Sequence, residues 1–149
     1  EVIITESLVN DFAKVSGDYS PIHMDEIYAK STTFKKRVVH GMLLGSFLSK
    51  VDGMYLPGKH ALYFSQSVEF RSPCFIDDTV KVISKVIDKS ESTKILKIET
   101  TMYNQNNKII LTGIGRVLGI SRDRVRNLQR DALKGLRRLG NAVEDYVTC

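Results

Sequence analysis

Asp18 and His23 lie five positions apart in a segment punctuated for a tight turn, Ser16-Gly17-Asp18-Tyr19-Ser20-Pro21-Ile22-His23. Gly17 admits a left-handed backbone and Pro21 fixes the chain just before Ile22 and His23, so carboxylate and imidazole converge on a small volume. Such a pair can share a water, take its proton and return one, the division of labour needed to add or remove water. The same residues also permit a structural role, a loop carboxylate capping a helix at 25–30 beside a histidine packed on the core.

The elements that must position this pair follow from periodicity. Residues 1–4 read as the end of a strand. Thr5 caps a helix over 6–15, where Leu8, Val9, Phe12 and Ala13 recur at helical spacing, and a short helix is expected over 25–30 with Asp25 near its start. Residues 38–51, VVHGMLLGSFLSKV, are nearly all apolar or small. They are too few to span a membrane and suit a buried helix against a sheet, with Gly41, Gly45 and Ser46 allowing close approach. From residue 61 the period changes to two. Strands are expected up to Ser72-Pro73 and over 79–87, 95–103 and 108–118, the last two joined by a turn at Asn104-Gln105-Asn106-Asn107. A buried helix followed by a long meander gives an α+β architecture, an antiparallel sheet wrapped around a helix.

Composition narrows the classes further. The chain has 149 residues, 42% of them hydrophobic and 26% charged, with three prolines and no low-complexity tract. One domain with a substantial core is expected, not a two-domain dehydrogenase or a disordered tail. The opening EVIITES lacks the features of a signal peptide. Two cysteines, Cys74 and Cys149, form neither a zinc cluster nor a disulfide framework, and His23, His40 and His60 have no close ligand spacing. No metal and a cytoplasmic location are therefore expected. The net charge of +5 is concentrated, because residues 119–140 carry seven basic side chains against two acidic ones. There Ser121 and Gly140 bracket an amphipathic helix whose basic face is either a solvated surface or a contact for an anion or nucleic-acid backbone.

The stretch SGDYSPIHMD resembles the signature of the (R)-specific enoyl-CoA hydratases, the MaoC-like dehydratases of the hot-dog superfamily, with Gly17, Asp18, Pro21, Ile22, His23 and Asp25 matching. VVHGMLLGS resembles the start of that family's central helix, and YFSQSVEFRSPCFIDDTVKV the strand pair after it, so the similarity covers about residues 1–118. The resemblance implies a hot-dog domain over 1–118 and a helical extension over 119–149. It implies reversible hydration of a trans-2-enoyl thioester of coenzyme A to the (R)-3-hydroxyacyl product, with Asp18 and His23 as catalytic dyad. The Gly41 backbone N–H would polarise the thioester carbonyl, Ser46 would brace the dyad, Pro21 would hold the loop, and His40 would serve as a positioning residue. No cofactor beyond the substrate's own coenzyme A is implied, and the partner expected is a second copy of the chain. Ser20 replaces the family's usual Asn. Its shorter side chain makes a non-catalytic acyl-thioester binding module one alternative. Coenzyme A phosphates would favour a nearby base among Lys35, Lys36, Arg37 and Arg71.

Residues 114–139, IGRVLGISRDRVRNLQRDALKGLRRL, separately resemble the C-terminal helix-turn-helix of bacterial sigma factors. That likeness would place Arg122, Arg124, Arg126 and Arg130 on DNA, and an acyl-CoA-sensing regulator is the other alternative. The hot-dog reading needs residues 114–118 for its last strand, which favours a basic helix laid on the domain or on a dimer partner.

Overall fold

The computed structural model describes residues 1–59 and 61–119; the expected basic helix, including Arg122, Arg124, Arg126 and Arg130, and His60 lie outside them. Strand β1 (Val2–Ile3) leads into α1 (Glu6–Ser16), then α2 (Pro21–Met24), α3 (Glu26–Ser31) and the long α4 (Gly41–Met54). Strands β2 (Ala61–Phe70), β3 (Thr79–Lys89), β4 (Ile95–Tyr103) and β5 (Ile109–Gly119) complete the order.

Local signals account for most of these bounds. Thr5 Oγ1 accepts from the Leu8 N–H and so starts α1. Asp25 Oδ1 accepts from the Ile27 and Tyr28 N–H groups at 2.8 and 2.9 Å and starts α3. Asp25, not Asp18, is therefore the capping carboxylate, which removes the capping role from Asp18. Pro21, expected in a loop, instead opens the single turn of α2 at a position where a missing N–H is harmless.

All pairings in the five-stranded sheet are antiparallel, in the order β1-β3-β4-β5-β2. Only β3, β4 and β5 form the expected meander. Strand β2 crosses to the far edge and pairs with β5, with a bulge between Tyr63 and Ser65. Residues 114–118 sit inside β5, paired with both neighbours, so they are not the first helix of a DNA-binding motif.

Helix α4 lies across the inner face of this curled sheet. Leu43, Leu44 and Leu48 pack with Val80, Met102 and Leu111, and Ile4 and Val9 close the side. The glycines that permit close approach are mostly in the sheet. A Cβ on Gly113 would lie 2.8 Å from Gln66 Nε2 and one on Gly115 2.8 Å from Gln66 Oε1, so the Gln66 amide fills the trough they leave. On α4 only Gly41 marks such an approach, against the Phe70 ring. The atoms nearest a Cβ on Gly45 would belong to its own neighbour Met42, and Ser46 is exposed.

Candidate active site

The end of α1 delivers Asp18. Gly17 takes a left-handed conformation at φ 76° and returns its N–H to the Ala13 carbonyl, stopping the helix one residue earlier. Asp18 then bends the loop back, its Oδ1 accepting the Ser20 N–H at 3.1 Å. That leaves Oδ2 facing His23 Nε2 across 4.0 Å. The Ser20 side chain makes no capping bond, and its contribution is through the backbone.

His23 is held by the segment before α4. Its Nδ1 lies 2.7 Å from the Val38 carbonyl oxygen. A carbonyl only accepts, so Nδ1 carries the hydrogen and Nε2 of the neutral ring presents a lone pair towards Asp18. The 4.0 Å gap is too long for a direct hydrogen bond. It suits one water about 2.8 Å from each atom, which would subtend about 91°. Such a water donates both hydrogens, one to His23 and one to Asp18, and turns its lone pairs outward.

His40 forms the floor of the site. It is 2% exposed, and its Nε2 lies 2.9 Å from the Asp18 carbonyl oxygen, which fixes the hydrogen on Nε2. Its ring is packed between Phe12, with centroids 5.1 Å apart, and His23, at 4.0 Å and 30° between planes. Nδ1 is buried with no hydrogen-bond partner among the described residues. Asp18, His23 and His40 thus have potential ligand atoms within 4.8 Å of one another. His23 Nδ1 and His40 Nε2 are each committed to a backbone carbonyl, which leaves His23 Nε2 and His40 Nδ1 as the ring atoms open to a ligand.

Gly41 begins α4 directly after His40, and together with His23, Phe34, Val38, Phe70 and Arg71 it lines a cleft of about 410 Å³. The first amides of a helix point out of its N-terminus, so the cleft sets the His23 imidazole beside backbone donors, while Asp18 is not among its lining residues. A second cleft of about 400 Å³, between the C-terminal half of α4 and β3, contains none of these groups.

Two expectations are corrected. The Ser46 hydroxyl donates to the Leu43 carbonyl of its own helix at 2.6 Å and makes no bond to the dyad. Arg37 is buried at 9% exposure and bonded to Glu6, Asn10 and the His23 carbonyl, so it does not offer a free charge to a phosphate. Of the four bases considered, Arg71 lines the cleft, paired with Glu69 and donating from Nε to Thr112 Oγ1 at 3.1 Å. Away from the cleft, α4 carries a 3%-exposed acid that sequence reasoning missed, Asp52, whose Oδ2 would lie 3.5 Å from a Cβ on Gly115. Burial pushes its carboxyl pKa up, and the Tyr63 hydroxyl partly offsets this.

The chain is 37% identical over 102 residues to an (R)-specific enoyl-CoA hydratase of Aeromonas caviae, covering 68% of this chain and 76% of the relative. It is 38% identical over 115 residues to the enzyme of the same name from Rhodospirillum rubrum, covering 77% and 79%. The solved structure of the A. caviae (R)-hydratase superposes with a TM-score of 0.76 at 34% identity, covering 78% of this chain and 88% of that one. The family model of the MaoC-like domain matches residues 1–108, a span that includes the whole dyad loop and α4, and the chain belongs to the MaoC-like dehydratase family.

Proposed function

We propose that this chain is an (R)-specific enoyl-CoA hydratase, adding water reversibly to a trans-2-enoyl-CoA to give the (R)-3-hydroxyacyl-CoA. The observation that carries the reading is the fixed tautomer of His23, whose Nε2 lone pair faces Asp18 Oδ2 across a gap of one water. In the forward direction His23 Nε2 takes a proton from that water while its oxygen bonds to C3 of the substrate. The C2–C3 π electrons move towards the thioester, and negative charge develops on its carbonyl oxygen. The Gly41 N–H is the donor for that charge, a preorganised dipole at a helix start. The proton on His23 then passes to C2, and Asp18 holds the water's second hydrogen throughout. Water is consumed and no electrons are gained or lost, so the step balances without a redox cofactor. Pro21 and Ser20 shape the loop, and His40 supports it from below.

The hydratase works as a homodimer in this reading. Among the described residues strand β2 is an edge of ten residues with no partner on its outer side and with Leu62 and Phe64 exposed, a surface that pairing would cover. Among the described residues no helix is long and apolar enough to cross a membrane, and acyl-CoA substrates fit the expected cytoplasmic setting.

The test is incubation with crotonyl-CoA, following loss of the enoyl-thioester absorbance and the configuration of the product alcohol. Turnover to the (R) alcohol supports the proposal. A folded protein that turns over neither short nor medium enoyl chains overturns it in favour of an acyl-thioester binding module.

A further inference from the structure

We infer that Arg37 is a positioning residue that ties His23 to the same helix that carries Asp18, and so sets the spacing of the dyad; this rests on the hydratase reading above. Asp18 follows directly from the C-terminus of α1. His23 belongs to a separate turn, α2, whose local tie to Asp18 runs through the Ser20 backbone: Asp18 Oδ1 accepts the Ser20 N–H and the Ser20 carbonyl accepts the His23 N–H at 2.9 Å. Arg37 adds a direct link from His23 to the body of α1. Its Nε donates to the His23 carbonyl at 2.6 Å, Nη1 binds the Glu6 carboxylate, and Nη2 donates to Asn10 Oδ1 at 3.3 Å. Glu6 and Asn10 are one turn apart on α1, and a planar guanidinium is the side chain that reaches three such acceptors in fixed directions.

The next residue continues the clamp. Val38 donates its N–H to the Ile22 carbonyl at 3.1 Å and accepts the His23 Nδ1 hydrogen at 2.7 Å. Segment 37–38 therefore holds backbone and ring of the 22–23 turn together, while the Val39 N–H, at 2.8 Å from the Cys74 carbonyl, anchors it to the strand-end loop. If Arg37 lets go of α1, the turn that carries His23 keeps only the Ser20 backbone and the His40 ring as references to Asp18. The tautomer imposed by Val38 loosens with it.

The experiment compares wild type with Arg37→Met by nitrogen-15 spectra of the His23 imidazole and by steady-state kinetics on crotonyl-CoA. Wild type shows the Nδ1–H tautomer. In Arg37→Met the His23 signals move towards a tautomer mixture, and kcat falls about 10- to 100-fold with KM little changed, the scale of a small misplacement of a catalytic group. A merely structural ion pair would lower Tm and leave the tautomer and kcat of the folded fraction alone; that result overturns the inference. Should Arg37→Met fail to fold, Glu6→Ala/Asn10→Ala removes both α1 acceptors of the guanidinium, Glu6 being an exposed side chain, and carries the same two readouts, with unchanged tautomer and kcat again overturning it. A wild type that hydrates no enoyl-CoA, but whose His23 tautomer still depends on Arg37, would sink the hydratase reading while leaving the positioning role in place.

Discussion

Asp18→Asn is the substitution that separates water activation from everything else in the site. The Asp18 side chain is about half exposed, and its hydrogen bond to the protein is the one Oδ1 accepts from the Ser20 N–H. Asparagine keeps that bond with its carbonyl oxygen. The reverse orientation would set an NH₂ against the Ser20 N–H, two donors face to face, so the amide is locked one way. Its NH₂ then occupies the place of Oδ2. The water between residues 18 and 23 is left with a donor where it had an acceptor, and one of its lone pairs is turned away from the substrate. Loss of this general-base arrangement is worth about 10²- to 10⁴-fold in kcat, or about 2.7–5.4 kcal/mol of barrier. Stability changes by less than about 0.5 kcal/mol, as for an exposed site whose main bond is kept. The assay is crotonyl-CoA turnover beside a thermal melt of both proteins. An Asn variant with unchanged melt and more than about a tenth of wild-type kcat would refute the assignment of Asp18.

Three further outcomes are expected. Burial raises the Asp52 pKa from its ordinary 3.8, so the folded chain binds that proton more tightly than the unfolded chain does. Its ionised form therefore opposes folding, an effect absent below the ordinary carboxylate range and growing as pH rises through the folded-state pKa. Asp52→Asn should raise the urea midpoint at neutral pH and not at acid pH, and a variant weakened mainly at neutral pH would count against the argument. In Gly41→Ala the new methyl would stand 2.8 Å from two Phe70 ring carbons, pushing the half-exposed ring into the cleft and raising KM for enoyl-CoA by about tenfold. An unaltered KM would separate Phe70 from the substrate path. Cys74 is 1% exposed, with its thiol pushed up to about 12 by burial and then by Asp78, so peptide mapping should find it unalkylated until denaturant is added. Labelling in the native protein would contradict its buried placement.

Sequence and structure agree where the signal is local. Thr5, Gly17 and Asp25 act within a turn of their own position, and the alternation of residues 95–103 marks β4 to the residue. Asp18 and His23 were legible for the same reason, a five-residue loop punctuated by Gly and Pro. What escaped depends on distant partners. Arg37 sits in Lys35-Lys36-Arg37, which reads as surface charge, and its carboxylate and amide partners are 31 and 27 residues away. The neighbours of β2 are not encoded in its alternation, because pairing with β5 rather than β3 is decided by closure of the sheet around α4. Gly113 and Gly115 look like weak strand residues until Gln66 is seen filling the space they leave.

The pairing of β2 with β5, Ala61 against Gly119 and Phe70 against Leu111, also bears on the order of events during synthesis. The dyad loop and α4 leave the ribosome early, yet β2 has no strand to join until β5 has emerged. Through that interval the leucines of α4 lack part of their cover, and β2 offers open backbone groups to any passing strand. Folding on the ribosome should thus stall at a helix-bearing intermediate that is open to chaperones, with β5 acting as the latch.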